Sequence, residues 1–192
     1  MKLELARGNK KLPHSTAIFN LGSAKKCPSA KLGLCQMANT GVRCYALKAE
    51  TQYPAVYPYR VRQLDYWIKA GPQRFAADFM RIVDKARKPI THLRVNESGD
   101  FRHQADVDNM EEVANDLADN GIITYCYTAR SDLDFSGCDV LVVNGSAFKP
   151  DGGNEFKAVE KLPKRRLHCV GDCRKCDLCT KKHGRTVFAK WH

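Results

Sequence analysis

Apolar residues along this chain follow two rhythms that alternate. Ser15–Ser23, after Pro13, is a nearly unbroken apolar run ending near Gly22, which predicts a buried strand. Over Tyr59–Ala70, Val61, Leu64, Trp67 and Ile68 recur at helical spacing until Gly71 ends the pattern. A second helix opens on Pro72 and stripes Phe75, Phe79, Ile82 and Ala86 along one face. Lys85, Arg87 and Lys88 suit its C-terminal dipole, and Pro89 stops it. Ile90–Asn96 predicts a strand. Asp106–Asn120 predicts a third helix, with Val107, Met110, Ala114 and Leu117 on one side. Ile122–Thr128 and Val140–Asn144 are apolar runs of strand length, and Arg166–Val170 is a further strand candidate.

Apolar strands alternating with amphipathic helices predict an α/β fold with a mostly parallel sheet. The expected architecture is a partial (βα) barrel over residues 1–160 with helices outside. A basic, Cys-rich segment, 161–192, packs on the same domain. At 192 residues the chain is short of the about 250 that a complete eight-unit barrel takes. In such sheets chemistry gathers at the carboxyl ends of the strands. Those ends carry Cys27, the run Asn96-Glu97-Ser98-Gly99-Asp100, then Thr128-Ala129-Arg130, and Asn144-Gly145-Ser146. One rim of the sheet is therefore expected to hold an enzyme-like site, with Glu97 and Asp100 as its acid–base candidates. Arg94 and Arg130 are candidates to face that rim as anion ligands, or else to pair with acidic neighbours. His92 and His103 are weaker acid–base candidates.

Charge changes this picture. Residues 1–60 and 161–192 each carry net +8, whereas 61–160 carries −5, and seven of nine cysteines lie in the basic ends. Clustered thiolates and a polyanion such as nucleic acid are two anions that those ends would attract. The first ten residues have scattered charges rather than a leader's apolar run, and no stretch approaches the roughly 18 apolar residues of a membrane span. A cytoplasmic, non-membrane protein is expected, its cysteines read as thiols or metal ligands before disulfides.

The cysteines fall into three groups. Cys27, Cys35 and Cys44 are spaced x7 and x8 on an irregular stretch after the first strand. Three soft thiolates there can hold three irons of a [4Fe–4S] cluster and leave the fourth open. Cys169, Cys173, Cys176 and Cys179 fall within eleven residues, spaced x3, x2 and x2, a ferredoxin-like density. Zinc is the weaker alternative, since ribbon sites pair two knuckles across a longer gap. Seven candidate ligands allow one open and one complete cluster, a fourth ligand lent from one group to the other, or one cluster clamped by both ends. His168 and His183 flank the second group. Cys126 and Cys138, in or beside apolar runs, are expected core residues.

Several stretches carry a resemblance: the Cys27-Pro28-Ser29-Ala30 run, the Cys44-Tyr45-Ala46 triplet, Ser98-Gly99-Asp100-Phe101, and Tyr127-Thr128-Ala129-Arg130-Ser131. Together they resemble the bacteriophage gene-product-88 family from about Asn9 to Thr180. The Cys-Tyr-Ala triplet closing a cysteine loop is also similar to phage proteins grouped with the radical S-adenosylmethionine enzymes. That similarity implies an open iron chelating S-adenosylmethionine. It also implies that Glu97, Ser98, Gly99 and Asp100 form a turn for the methionine amino group, with Thr128, Arg130 and Asn144 lining the cofactor. The usual superfamily spacing, x3 and x2, is much tighter than the loop found here. The basic termini suggest a nucleic acid or another anionic substrate. The rival reading is a non-catalytic module binding nucleic acid or a host protein.

Overall fold

A computed structural model describes residues 2–39 and 44–191. Seven strands form one sheet in chain order: β1 (Ala6–Arg7), β2 (Thr16–Leu21), β3 (His92–Gly99), β4 (Ile123–Thr128), β5 (Val142–Ser146), β6 (Asn154–Val159) and β7 (Thr186–Lys190). Every neighbouring pair is parallel except β1–β2. The fold is thus mixed α/β with a mostly parallel sheet. Strand order follows chain order without reversal, so the carboxyl ends of β2 to β5 line up along one edge.

Two long helical elements cover one face. The first, Val56–Asp84, is two helices meeting at Gly71, whose φ of 71° and ψ of 173° leave the helical region. Pro72 dictates the break: it has no N–H to donate backwards, and it bars the preceding residue from helical geometry. Gln104–Ala118 is the second. We label the short helices Pro28–Lys31, Gln36–Asn39 and Tyr45–Gln52 α1 to α3, Val56–Asp84 α4, and Gln104–Ala118 α5. Inward residues of the sheet, among them Phe19, Leu93, Val95 and Cys126, pack against Trp67, Phe75, Phe79, Met110 and Leu117. Phe75 is at the centre, fully buried, with Phe19 edge-on at 4.7 Å. Burying such a ring contributes roughly 1.5–3 kcal/mol. Cys126 and Cys138 belong to this core, as expected.

β2 is buried along its whole length because something covers each side of it. On the face away from the long helices stand Thr16, His92, Arg94, Tyr125 and Tyr127, under the Cys-rich C-terminal segment. The expected strand at Arg166–Val170 is reduced to one bridge, His168 with Phe188. β6 and β7 escaped the apolar pattern because they are mostly half-exposed and mix polar with apolar residues without a regular period. They pair over five positions, so the last segment completes the same sheet. Among the described residues no helix is long and apolar enough to cross a membrane.

Candidate thiol-lined metal site

Each cysteine of the first group stands at the start of a helix. Cys27 is the N-cap of α1, Cys35 immediately precedes α2, and Cys44 is the N-cap of α3. Neither Cys27 nor Cys44 spends its side chain on capping. The loop bearing Cys27 is pinned by a residue the sequence did not flag. Glu50, on α3 and buried, accepts the backbone N–H groups of Ala24 (2.7 Å) and Lys25 (3.2 Å) and pairs with buried Arg60 at 2.9 Å. Arg60 also donates to the Ala46 carbonyl, tying α3 to α4. Burial pushes the Cys27 thiol above its ordinary value; Ser29 Oγ, 3.2 Å away, opposes this, while Asp100 and Cys35 add to it.

The run Asn96–Asp100 is a bulged exit from β3. Phe19 pairs with Val95 and Leu21 with Gly99, so two extra residues of β3 loop out between those pairs. Asn96 (φ 63°) and Gly99 (φ 72°) make the turn possible. A Cβ at Gly99 would lie 2.7 Å from the carbonyl oxygens of Leu21 and Gly22, so only glycine fits. Ser98 N–H donates to Asn20 at 2.8 Å, and Asn20 donates in turn to buried Gln63. Asp100 is enclosed: it accepts Phe101 N–H and Ala129 N–H, both at 2.9 Å, with Thr128 and Ser29 alongside. Desolvation raises its pKa against those donors. Arg130 grips Asp132 through two bonds, 2.7 and 2.8 Å, and donates to the Phe101 and Arg102 carbonyls. Asp100, Thr128 and Arg130 therefore knit the strand ends together. Glu97 is the more open carboxylate, accepting Asn9 at 2.8 Å, while its own carbonyl accepts the Tyr45 hydroxyl at 2.9 Å. His103 begins α5 as its N-cap.

Cys169, Cys173, Cys176 and Cys179 line one cavity of about 110 Å³, roofing the sheet over His92, Arg94, Tyr125 and Tyr127. The loop is held down by two asparagines paired across β5 and β6. Asn144 donates to the Cys126 carbonyl (3.1 Å) and to the Cys179 carbonyl (2.9 Å). Asn154 donates to Asn144 and to the Lys181 carbonyl, and accepts the N–H groups of His183 and Gly184. Burial pushes Cys179 up to about 11, opposed by the Tyr127 hydroxyl and reinforced by the three other thiols.

Arg94 is the unusual member. Its guanidinium lies over the Tyr127 ring, 5.0 Å from the centroid, and its Nε is buried without a hydrogen-bond partner. It makes no ion pair among the described residues. Burial opposes its charge, but Tyr45, Tyr127, Tyr125 and Glu97 around it keep the proton firmly held. A cation enclosed this way calls for an anion. Alternating polar positions in β3 and β4 (His92, Arg94; Tyr125, Tyr127) are the sequence signal for this lined second face.

The two cysteine groups occupy different places: the first follows the carboxyl end of β2, the second lies over the face toward Thr16 and His92 at the strand starts. Among the described residues, no three of His, Cys, Asp and Glu converge closely enough to grip a single metal ion. His168 is engaged with the Pro163 carbonyl at 2.7 Å. His183 accepts Arg185 N–H on Nδ1, which leaves the ring proton on a buried, unpartnered Nε2.

Fold and site define a mostly parallel α/β protein with a thiol-lined pocket built around a half-buried arginine. The chain belongs to the gene product 88 family, a family of phage gene products, which it matches over residues 2–146. That match takes in Cys27, Cys35 and Cys44 and ends before β6, so the four C-terminal cysteines lie outside it. No curated protein and no solved structure matches the chain.

Proposed function

We propose that this is an iron–sulfur protein in which Cys169, Cys173, Cys176 and Cys179 hold a [4Fe–4S] cluster against the sheet. Cys27, Cys35 and Cys44 hold a second cluster at the carboxyl ends of the strands. Arg94 carries the reading: a thiolate-ligated cluster is a net anion, and the cavity it would fill already contains an unpaired cation. Four thiols spread around a cavity suit a cluster of several atoms better than zinc, whose Zn–S bonds of about 2.3 Å need tightly drawn sulfurs. The Tyr127 hydroxyl, within hydrogen-bonding reach of Cys179, would tune the cluster through its sulfur.

With three thiolates and one open iron, the first group supports a radical S-adenosylmethionine-type enzyme, the sheet being an opened part of a barrel. Such a cluster supplies the electron for reductive cleavage of the bound cofactor. In this chain Glu97 is the open carboxylate available to the methionine amino group of that cofactor, and Asp100 positions the turn that presents it. An anionic substrate, nucleic acid foremost, fits the basic termini. A second reading, a non-catalytic binding module, is favoured by the way Asp100, Thr128, Arg130 and Asn144 spend their polar groups on the fold.

Anaerobic purification with iron, sulfide and zinc counted per chain tests both. Brown protein is expected, with Cys173→Ser and Arg94→Met each losing iron and Cys126→Ser keeping it. A colourless, zinc-loaded preparation overturns the proposal. S-Adenosylmethionine cleavage after reduction then separates enzyme from module.

A further inference from the structure

Arg165, Arg166 and Arg185 border a cleft of about 650 Å³ beside β7, together with Leu167, Thr186 and Phe188. None of the three arginines makes an ion pair or a side-chain hydrogen bond among the described residues, and all are exposed. The carboxylate bonded to this lining is that of Glu155, which accepts the Thr186 hydroxyl at 2.6 Å. Two adjacent arginines in an extended chain would point to opposite sides. Arg165 instead adopts a left-handed conformation, φ 56°, seldom taken by non-glycine residues, and both Arg165 and Arg166 border the cleft. The segment is also held in place: Phe188 N–H donates to the Leu167 carbonyl and Cys169 N–H to the Phe188 carbonyl, both at 2.8 Å.

We propose that this cleft binds the backbone of single-stranded nucleic acid, with the three guanidiniums on successive phosphates and the Phe188 ring available to a base. Guanidinium forks match phosphate oxygens, and an aromatic lining the same cleft gives sequence-tolerant stacking. The volume exceeds what one phosphate needs. The surrounding segment, 161–192, carries net +8. This inference rests on the cleft and stands independently of whether the cysteines bind iron.

A labelled single-stranded oligonucleotide of mixed sequence, titrated into the full-length protein at several salt concentrations, tests it. The wild type should bind, and Arg165→Ala/Arg166→Ala/Arg185→Ala should weaken binding about tenfold or more at low salt. Its log–log salt slope should flatten by about 2, roughly 0.7 for each lost phosphate contact. The variant Lys69→Ala/Lys85→Ala/Arg87→Ala removes the same charge from exposed positions on α4 and the turn after it, and should bind almost as tightly as wild type. Absent binding by wild type, or equal loss in both triple variants, overturns the proposal. Metal content is measured on the same preparations: unchanged metal with lost binding separates this site from the cysteine pocket.

Discussion

Single side chains decide where this protein tolerates charge. Asp106 is fully buried at the start of α5, yet it accepts Trp67 Nε1 at 2.8 Å and a forked pair of bonds from Arg102. Desolvation works against its charge, but Arg102 and Trp67 more than offset that, and its pKa falls below the ordinary carboxylate value. A lowered pKa means that the stabilisation is complete above the unfolded-state value, near 4, and is lost as pH falls through the folded one. Asp106→Asn should therefore cost about 2 kcal/mol at neutral pH. In urea titrations repeated across pH, its deficit against wild type should shrink on the acid side. A deficit that stays constant down to the acid limit would refute the assignment. Asp100 has the opposite sign: its raised pKa favours the protonated form, so it opposes stability as pH climbs past the unfolded value. Two buried carboxylates six residues apart thus pull the acid limb in different directions.

Elements inherit their positions from a few polar clamps. The C-terminal segment, residues 161–191, has Val187 as its one fully buried side chain among the described residues. Hydrophobic burial therefore does little to hold its loop, and the backbone bonds from Asn144 and Asn154 take that part. Asn154→Ala leaves the Lys181 carbonyl and two N–H groups without their partner and should cost about 2–3 kcal/mol locally. Amide exchange should speed up around 179–184 while β3 and β4 stay protected; uniform acceleration through the whole sheet would mean the clamp is not local. The long helices α4 and α5, by contrast, were plain in the sequence, whereas the short α1 to α3 were not. Phe75, Phe79, Met110 and Leu117 lie on the stripes that the 3.6-residue period marks, because a helix facing an apolar sheet has no other way to bury them. Gly71-Pro72 likewise marked the break in α4.

At the scale of the whole molecule, a family-matched body, 2–146, is joined to a basic tail that supplies β6, β7 and four thiols. If metal–thiolate bonds complete that tail, stripping iron with a chelator should make trypsin cut within 164–185 well before it cuts α4 or α5. Mass spectrometry of the fragments reads the order of cleavage. Simultaneous cleavage throughout would show that the tail and body unfold as one unit.

The sequence alone determined the α/β class, the parallel strands β2 to β5, the helical face and the two cysteine groups, because buried periodicity and residue identity are local properties. Tertiary structure decided the rest. It separated the cysteine groups, placing the first at the strand ends and the second over the sheet face. It turned Asp100, Thr128 and Arg130 inward as struts and left Arg94 facing a cavity without an ion-pair partner. Whether a polar group is spent on the fold or left open to a ligand depends on what lies across from it: in this chain Glu50 and Arg60 meet only when α3 and α4 pack, and Asn144 and Asn154 only once the sheet has formed.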